Sequence, residues 1–579
     1  MPLSPKTTRA LNNILSRAVA THEPGVAIGI AKGGRVVWRG GRGLANMDAK
    51  IPLTPSTPFR ICSISKQFAC ALVMREARAG RIALDAHPSR YLPWAKVLDS
   101  ALTVAHLMQN KSGVRDQWVL AMMMGARAEQ RFTLADGIAV NRLAPQSMFT
   151  PGSQNLYCNA NFEMLGQILE AVTGEPVAAL LTKHIFVPLG MNDTYLGIDT
   201  ARPLVGDARG YRVHDGVWVE EENALHWAAS AGIVSTVEDL LKWAACLRDP
   251  NALGLPWVAN ILVTTPFGDG AAASYASGIN HVVNATTGRS MFTHAGALRG
   301  WRSTLIHFVK EDISIAVFMN RTNAKEPAAK FPSQVAKEIA AAIGIDPVWH
   351  VPGEKLAGGK FPANVHGAHA SANASGIVLG NVSAPMSTDM SSNMPADVSS
   401  YCSREQGLMV QLRYHEGQPQ IFLHLSWSSL YRVDAQTFAT DDRHLSIRFT
   451  DPSCKTLMLA MNAENVCAPM QAVVSKRTAN LKVAASTKFA KLGQYQCTPI
   501  ASKAEIVHRD GTYAIFFSGI FGTGTHYPLT VLNETTAWFD LSRGVDESPP
   551  GRVLVIYDAK EKLLELSCML ARRMVFRTG

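Results

Sequence analysis

Ser63 and Lys66 stand three residues apart in the run Ile61-Cys-Ser-Ile-Ser-Lys-Gln-Phe. Downstream, Phe68, Leu72 and the residues to Ala79 read as an apolar helix. If Ser63 opens that helix, residues three apart share a face. The serine then lies at the positive N-terminal end, beside an ammonium group. A serine hydroxyl is a poor nucleophile until a base takes its proton. A neutral lysine can take it, and a lysine sheds its own proton readily once buried beside other cations. Alone the pair says little, since a helix cap plus a surface lysine gives the same spacing by chance. Two further runs follow. Tyr157-Cys-Asn159 falls in a turn, just before a helix with apolar Phe162, Leu165, Ile168, Leu169 and Val172. His294-Ala-Gly296 precedes a strand that starts near Trp301.

These residues need a scaffold, and the chain shows one. A helix-like stretch (11–20) is followed by a hairpin, Gly25-Val-Ala-Ile-Gly-Ile-Ala and Arg35-Val-Val-Trp around Lys32-Gly-Gly. Glycine supplies the positive φ of such tight turns. Helical patterning dominates from about 65 to 245. Two β-rich runs between Trp301 and Met319 flank Lys310-Glu-Asp as a second hairpin, and a last helix covers 329–343. Strands at both ends with helices between predict one antiparallel sheet flanked by helices, an α+β architecture.

At 579 residues the chain is too long for one core, because cores stop growing at about 250–300 residues. The stretch 352–400 is rich in Gly, Ala, Ser, Asn and Pro and reads as a linker or insertion. Beyond it the pattern is β, in two runs that suggest two small all-β barrels or sandwiches. The runs Leu408 to Tyr414 and Ala504 to His508 hint at a duplicated unit. The division expected is 1–345 catalytic, 346–399 linker, 400–480 and 485–579 β-barrels. The net charge of +10 is scattered without a basic run, so nucleic acid is not an expected partner. No secretory leader and no long apolar run is evident, which points to a cytoplasmic protein with no membrane partner. Nine widely spread cysteines without a C-x-x-C pair fit reduced thiols better than disulfides or zinc. No metal cluster and no phosphate loop occurs, so no cofactor and no metal is expected. His307, His508 and His526 are isolated and read as packed or surface residues. Trp301 reads as core.

Three elements in this order, S-x-x-K, Y-x-N and H-x-G, resemble the motifs of the penicillin-recognising serine hydrolases, the class C β-lactamase-like family. Within it the chain looks nearest to the D-aminopeptidases, on Ile61-Cys-Ser-Ile-Ser-Lys-Gln-Phe, Tyr157-Cys-Asn-Ala-Asn-Phe and His294-Ala-Gly-Ala-Leu-Arg-Gly-Trp-Arg302. The resemblance implies a β-lactamase-like catalytic domain followed by two β-barrels. It covers nearly the whole chain except the 352–400 insertion. Ala295 stands where these aminopeptidases usually have Gly.

The resemblance also implies roles. Ser63 is the acylated nucleophile and Lys66 its proton acceptor. Tyr157 passes a proton to the leaving amine. Asn159 binds the substrate amide, and His294 holds Tyr157. The backbone N–H groups of Ser63 and Ala297 form the oxyanion hole. A free ammonium group needs a carboxylate, which these aminopeptidases supply from a loop of the last barrel. The stretch Ser542-Arg543-Gly544-Val545-Asp546-Glu547-Ser548-Pro549-Pro550-Gly551-Arg552 resembles that loop, with Asp546 as the carboxylate. Asp540 and Glu547 are weaker candidates. Read from the residues alone, the stretch is a polar Gly/Pro loop between strands. The expected activity is hydrolysis of N-terminal D-Ala, Gly or D-Ser from a small peptide or amino-acid amide. The alternatives are a D,D-peptidase, β-lactamase or esterase with the same motifs, or a degenerate sensor. The resemblance also suggests a homodimer and admits β-lactam compounds as inhibitors.

Overall fold

Alternation of side chains decides the central sheet. In the first strand, Val26, Ile28 and Ile30 are buried on one face, with Ala27, Gly29 and Ala31 on the other. The computed structural model describes residues 3–127, 129–214, 216–221, 224–283, 288–322, 332–345, 399–403, 408–415, 418–423, 426–432, 437–440, 445–450, 456–461, 466–473, 493–509, 512–532, 535–540, 552–568 and 571–578.

The chain opens with helix α1 (Pro5–Ala18), capped by the Ser4 hydroxyl, which accepts from the Thr7 N–H at 3.1 Å. Strands β1 (Val26–Lys32) and β2 (Arg35–Arg42) form the expected hairpin, with Gly33 and Gly34 at φ of 59° and 74°. Helices α2 (Ser65–Arg78), α3 (Gln117–Met123), α4 (Asn159–Thr173) and α5 (Val237–Arg248) follow. Strands β3 (Asn280–Val283), β4 (Ser290–Leu298), β5 (Trp301–Phe308) and β6 (Ile313–Met319) return the chain to the sheet. Helix α6 (Pro332–Ala342) closes it.

The sheet order is β3-β4-β5-β6-β1-β2, antiparallel throughout. Val26 pairs with Met319, so the first strand zips to the last and joins the two ends of the domain. Leu11 and Ile14 of α1, with Val335 and Ile339 of α6, cover the Val26, Ile28, Ile315 and Val317 face. The helical region covers the other. There α5 comes so close that a Cβ on Gly29 would lie 2.9 Å from Leu241 Cδ1. Glycine at that position lets the helix seat on the strand.

The C-terminal part is all β. Among the described residues, those of 399–473 build a nine-stranded sheet and those of 493–578 a ten-stranded one. In each the first strand pairs with the last, Ser400 with Val473 and Tyr495 with Thr578. Leu408–His415 and Ser502–Arg509 are each the second strand of their sheet, paired to the first. The two runs that hinted at duplication therefore occupy equivalent places. The 346–398 segment lies outside the described residues.

The second β sheet docks on the helical region. The Ser502 hydroxyl donates to the Met123 carbonyl, and the Phe521 N–H donates to the Met124 carbonyl at 3.3 Å. Arg115 donates to the Arg572 carbonyl at 3.2 Å, and Arg572 to Gln154 Oε1 at 3.1 Å.

Candidate active site

Ser63 sits in a 3-10 turn, Cys62–Ile64, that runs directly into α2. The residue before it, Cys62, has φ of 54°, a left-handed conformation that a side chain seldom adopts. Such strain persists where the surroundings fix it, and here they do. Strand β4 presses on the turn at Gly296, where a Cβ would collide with the Ile61 carbonyl and the Ser303 hydroxyl and stand 2.9 Å from Cys62 Cβ. The Ser303 hydroxyl also donates to the Ile61 carbonyl at 2.8 Å. The glycine of His294-Ala-Gly296 is thus a contact requirement between β4 and the serine turn.

Lys66, the second residue of α2, is completely buried. Its Nζ lies 3.1 Å from Ser63 Oγ, 2.8 Å from Asn159 Oδ1 and 2.8 Å from the Ser230 carbonyl. It stands 4.7 Å above the Tyr157 ring and 5.1 Å from that of Phe162. The two carbonyl-type oxygens can only accept. A neutral amine therefore gives its two N–H groups to Asn159 and Ser230, and its lone pair is left for the Ser63 hydroxyl. Burial brings the Lys66 pKa down from 10.5 to about 7, against the opposing pull of Glu163 and Asp116.

Those two carboxylates are the scaffold behind the lysine. Asp116 caps α3, accepting from the Trp118 and Val119 N–H groups at 3.0 and 3.3 Å, and accepts from the Asn159 N–H at 3.0 Å. It thereby ties the start of α3 to the start of α4. Glu163 accepts from the Ser230 hydroxyl at 2.5 Å and from the Ser230 and Ala228 N–H groups, both at 3.2 Å. It fixes the loop whose Ser230 carbonyl meets Lys66. Burial raises both carboxyls above their ordinary range.

Tyr157 precedes α4 in an irregular, extended segment, past the turn at Pro151-Gly152 and not in a turn as the sequence suggests, and burial raises its phenol far above the ordinary value of 10. The Ser63 hydroxyl facing it opposes part of that rise, but among the described residues no hydrogen bond of ordinary geometry reaches the Tyr157 oxygen. His294 is buried on β4. Its ring does not hold Tyr157, contrary to what the family resemblance implies. The ring centroids are 6.2 Å apart, and the two ring nitrogens bond elsewhere. Nδ1 lies 2.6 Å from the Ala295 carbonyl and Nε2 lies 3.1 Å from the Tyr275 hydroxyl. Burial, with Lys66 nearby, lowers the His294 pKa to about 3. Ala297 pairs with Arg302 in the β4–β5 ladder and is half-buried.

Ser63, Lys66, Tyr157, Asn159 and His294 thus meet from a turn, the N-terminal ends of α2 and α4, and a strand. Segment 541–551, which carries Asp546, lies outside the described residues. Sequence reasoning missed Asp116, Glu163, Ser230 and Tyr275. None lies in a motif, and each enters through the fold. His307 is buried against Ser314, His508 lies on the Tyr513 ring, His526 stacks on Phe516, and Trp301 packs edge-on to Phe59. Among the described residues, no cluster of three His, Cys, Asp or Glu side chains could hold a metal ion.

The Beta-lactamase family model matches residues 11–337, more than half of the chain. The chain belongs to the beta-lactamase family. A second model, "D-aminopeptidase, domain B", matches residues 393–577, which include both C-terminal β sheets. The D-aminopeptidase of Brucella anthropi is 28% identical over 568 residues, covering 96% of this chain and 95% of that one. The D-aminopeptidase of Gluconobacter oxydans is 33% identical over 324 residues, 56% of this chain and 59% of the relative. The match thus spans about three fifths of the Gluconobacter protein's length. Among solved structures, the octameric penicillin-binding protein homologue from Pyrococcus abyssi is 18% identical with a TM-score of 0.50, covering 80% of this chain and 99% of its own. The D-amino acid amidase from Ochrobactrum anthropi SV3, complexed with L-phenylalanine, is 22% identical with a TM-score of 0.50, covering 58% and 98%. These two structures share the fold of this chain, a serine hydrolase of the beta-lactamase family.

Proposed function

We propose that this enzyme is a serine D-aminopeptidase that removes N-terminal D-Ala, Gly or D-Ser from small peptides, amides or esters through an acyl-enzyme on Ser63. The observation that carries the reading is the triply held Lys66 amine, 3.1 Å from Ser63 Oγ. The Ser63 proton passes to the Lys66 lone pair as Oγ attacks the substrate carbonyl carbon. The oxyanion is met by the N–H groups of Ser63 and Ala297, donors that act on charge present only in the transition state. Tyr157, kept a neutral phenol by burial, donates to the leaving amine as the C–N bond breaks. Water then adds to the acyl carbon and gives a proton back to Tyr157, and the proton held on Lys66 returns to Ser63 Oγ as the acid leaves. Asn159 has its oxygen committed to Lys66, so it offers its Nδ2 to the substrate carbonyl.

The D preference and the free ammonium rest on the resemblance to the D-aminopeptidase of Brucella anthropi, which covers 96% of the chain, with Asp546 as the ammonium partner. The same reading carries closed barrels for the two β sheets, the divisions 1–345, 346–399, 400–480 and 485–579, a cytoplasmic location and a homodimer.

The test is hydrolysis of D-alanine p-nitroanilide against its L-isomer and its N-acetylated form. The expected result is cleavage of the free D-amine alone, and none by Ser63→Ala. Cleavage of acylated substrates or β-lactams in its place moves the reading to a D,D-peptidase, esterase or β-lactamase.

A further inference from the structure

Tyr275 belongs to no motif, yet it reaches the centre of the site. It is buried, in the segment just before β3. That segment is clamped to the nucleophile helix. Gly278, at φ of 73°, lies so close that a Cβ there would stand 2.6 Å from the Lys66 carbonyl oxygen. Its N–H donates to the Met108 carbonyl at 3.1 Å, and that of Ser277 to the Ile261 carbonyl at 3.0 Å. Tyr275 is therefore carried by the backbone that seats Lys66.

Its hydroxyl lies 3.1 Å from His294 Nε2, while His294 Nδ1 lies 2.6 Å from the Ala295 carbonyl. A carbonyl oxygen can only accept, so Nδ1 must carry a hydrogen. In a neutral ring Nε2 is then the bare nitrogen, and only the Tyr275 O–H can supply the hydrogen between them. Burial beside Lys66 keeps the ring neutral. Both nitrogens are then engaged, with no N–H and no lone pair left for Tyr157.

We propose that Tyr275 is a positioning residue that locks His294 as the neutral Nδ1–H tautomer by donating its hydroxyl hydrogen to Nε2. His294 then shapes the cleft as a fixed dipole and takes no part in proton transfer with Tyr157. The inference rests on the reading of His294 as a member of the active site.

The experiment is nitrogen NMR of the full chain with labelled histidine, using His294→Gln to assign the ring, alongside kinetics of Tyr275→Phe. In the wild type, His294 should be protonated at Nδ1 only, across neutral pH. In Tyr275→Phe the Nε2 resonance should move. The kcat on D-alanine p-nitroanilide should fall roughly tenfold with KM unchanged, the scale of one hydrogen bond. A wild-type ring protonated at Nε2, or ring resonances identical in Tyr275→Phe, overturns the proposal. The spectrum reads the tautomer whether or not a D-amine is cleaved. A correct ring in a chain inactive on D-alanine substrates therefore rejects the aminopeptidase reading and retains Tyr275.

Discussion

A buried amine at the edge of protonation responds to every charge around it. Lys66 acts as a base only when neutral, and burial sets its pKa at about 7. Below that value the ammonium form uses all three hydrogens on Ser63, Asn159 and Ser230, and no lone pair faces the serine. Acylation should therefore rise with pH through a limb near 7 in kcat/KM, where the free enzyme's base titrates. His294 is neutral throughout that range, so it adds no second limb. Glu163 is the first of the groups that hold the Lys66 pKa up. Glu163→Gln removes that negative charge while keeping an oxygen for the Ser230 hydroxyl. It should move the limb to lower pH. Glu163→Ala also frees the Ser230 loop and should lower kcat by about tenfold or more, the cost of a buried hydrogen bond lost. A limb that stays in place in Glu163→Gln would mean that this carboxyl does not act on Lys66. Ser63, Lys66, Tyr157, Asn159 and His294 were legible in the sequence because each lies in a short run of fixed order. Glu163 and Ser230 were not, because a lone acid on an apolar helix face and a serine in a small-residue loop carry no local signal.

At the scale of elements, the site depends on how closely β4 approaches the serine turn. Gly296→Ala places a methyl group against the Ile61 carbonyl and the Ser303 hydroxyl. The strand must back away from Cys62–Ile64, and the N–H groups of Ser63 and Ala297, the proposed oxyanion donors, separate. A displacement of about 1 Å at such a site costs on the order of a hundredfold in kcat. Overpacking should cost about 1–3 kcal/mol of stability. The matched control is Gly268→Ala, where a Cβ meets nothing within 4 Å. Equal activity for the two variants would show that the β4–turn contact does not set the geometry. The hairpins around Gly33 and the Lys310-Glu-Asp turn were readable because strand alternation and turn residues are local. The opening helix starts earlier than its apolar pattern suggests, at Pro5, because Ser4 caps it. The pairing of β1 with β6 spans nearly the whole domain, and only the α+β pattern pointed to it. The close contacts at Gly29, Gly278 and Gly296 follow from tertiary approach, which no periodicity records.

The whole molecule joins its catalytic part to the last β sheet through small residues. Gly125 meets the backbone of Gly522 and Gly519, and Phe521 packs on Phe132 with ring centroids 5.7 Å apart. The shift from helical to β patterning announced separate bodies, but glycines and single serines gave no hint of where they touch. Interfaces of this kind within a chain permit relative motion unless they are large and apolar. Here the Ser502 hydroxyl, the Phe521 N–H and Arg572 fasten it. A valine at 519 would bring a Cβ within 2.8 Å of the Met124 carbonyl oxygen. Gly519→Val should therefore loosen the last sheet while leaving α2 and β4 untouched. If that sheet presents Asp546 to the substrate ammonium, the variant should lose D-alanine p-nitroanilide hydrolysis by about tenfold, the scale of one charged contact. Its Ser63 should still be phosphonylated by a reactive fluorophosphonate, with loss of fluoride, at the wild-type rate. Calorimetry should show the last sheet unfolding at a lower temperature than in the wild type. Full aminopeptidase activity in a chain whose last sheet is loosened in this way would show that the docked sheet does not contribute to substrate recognition.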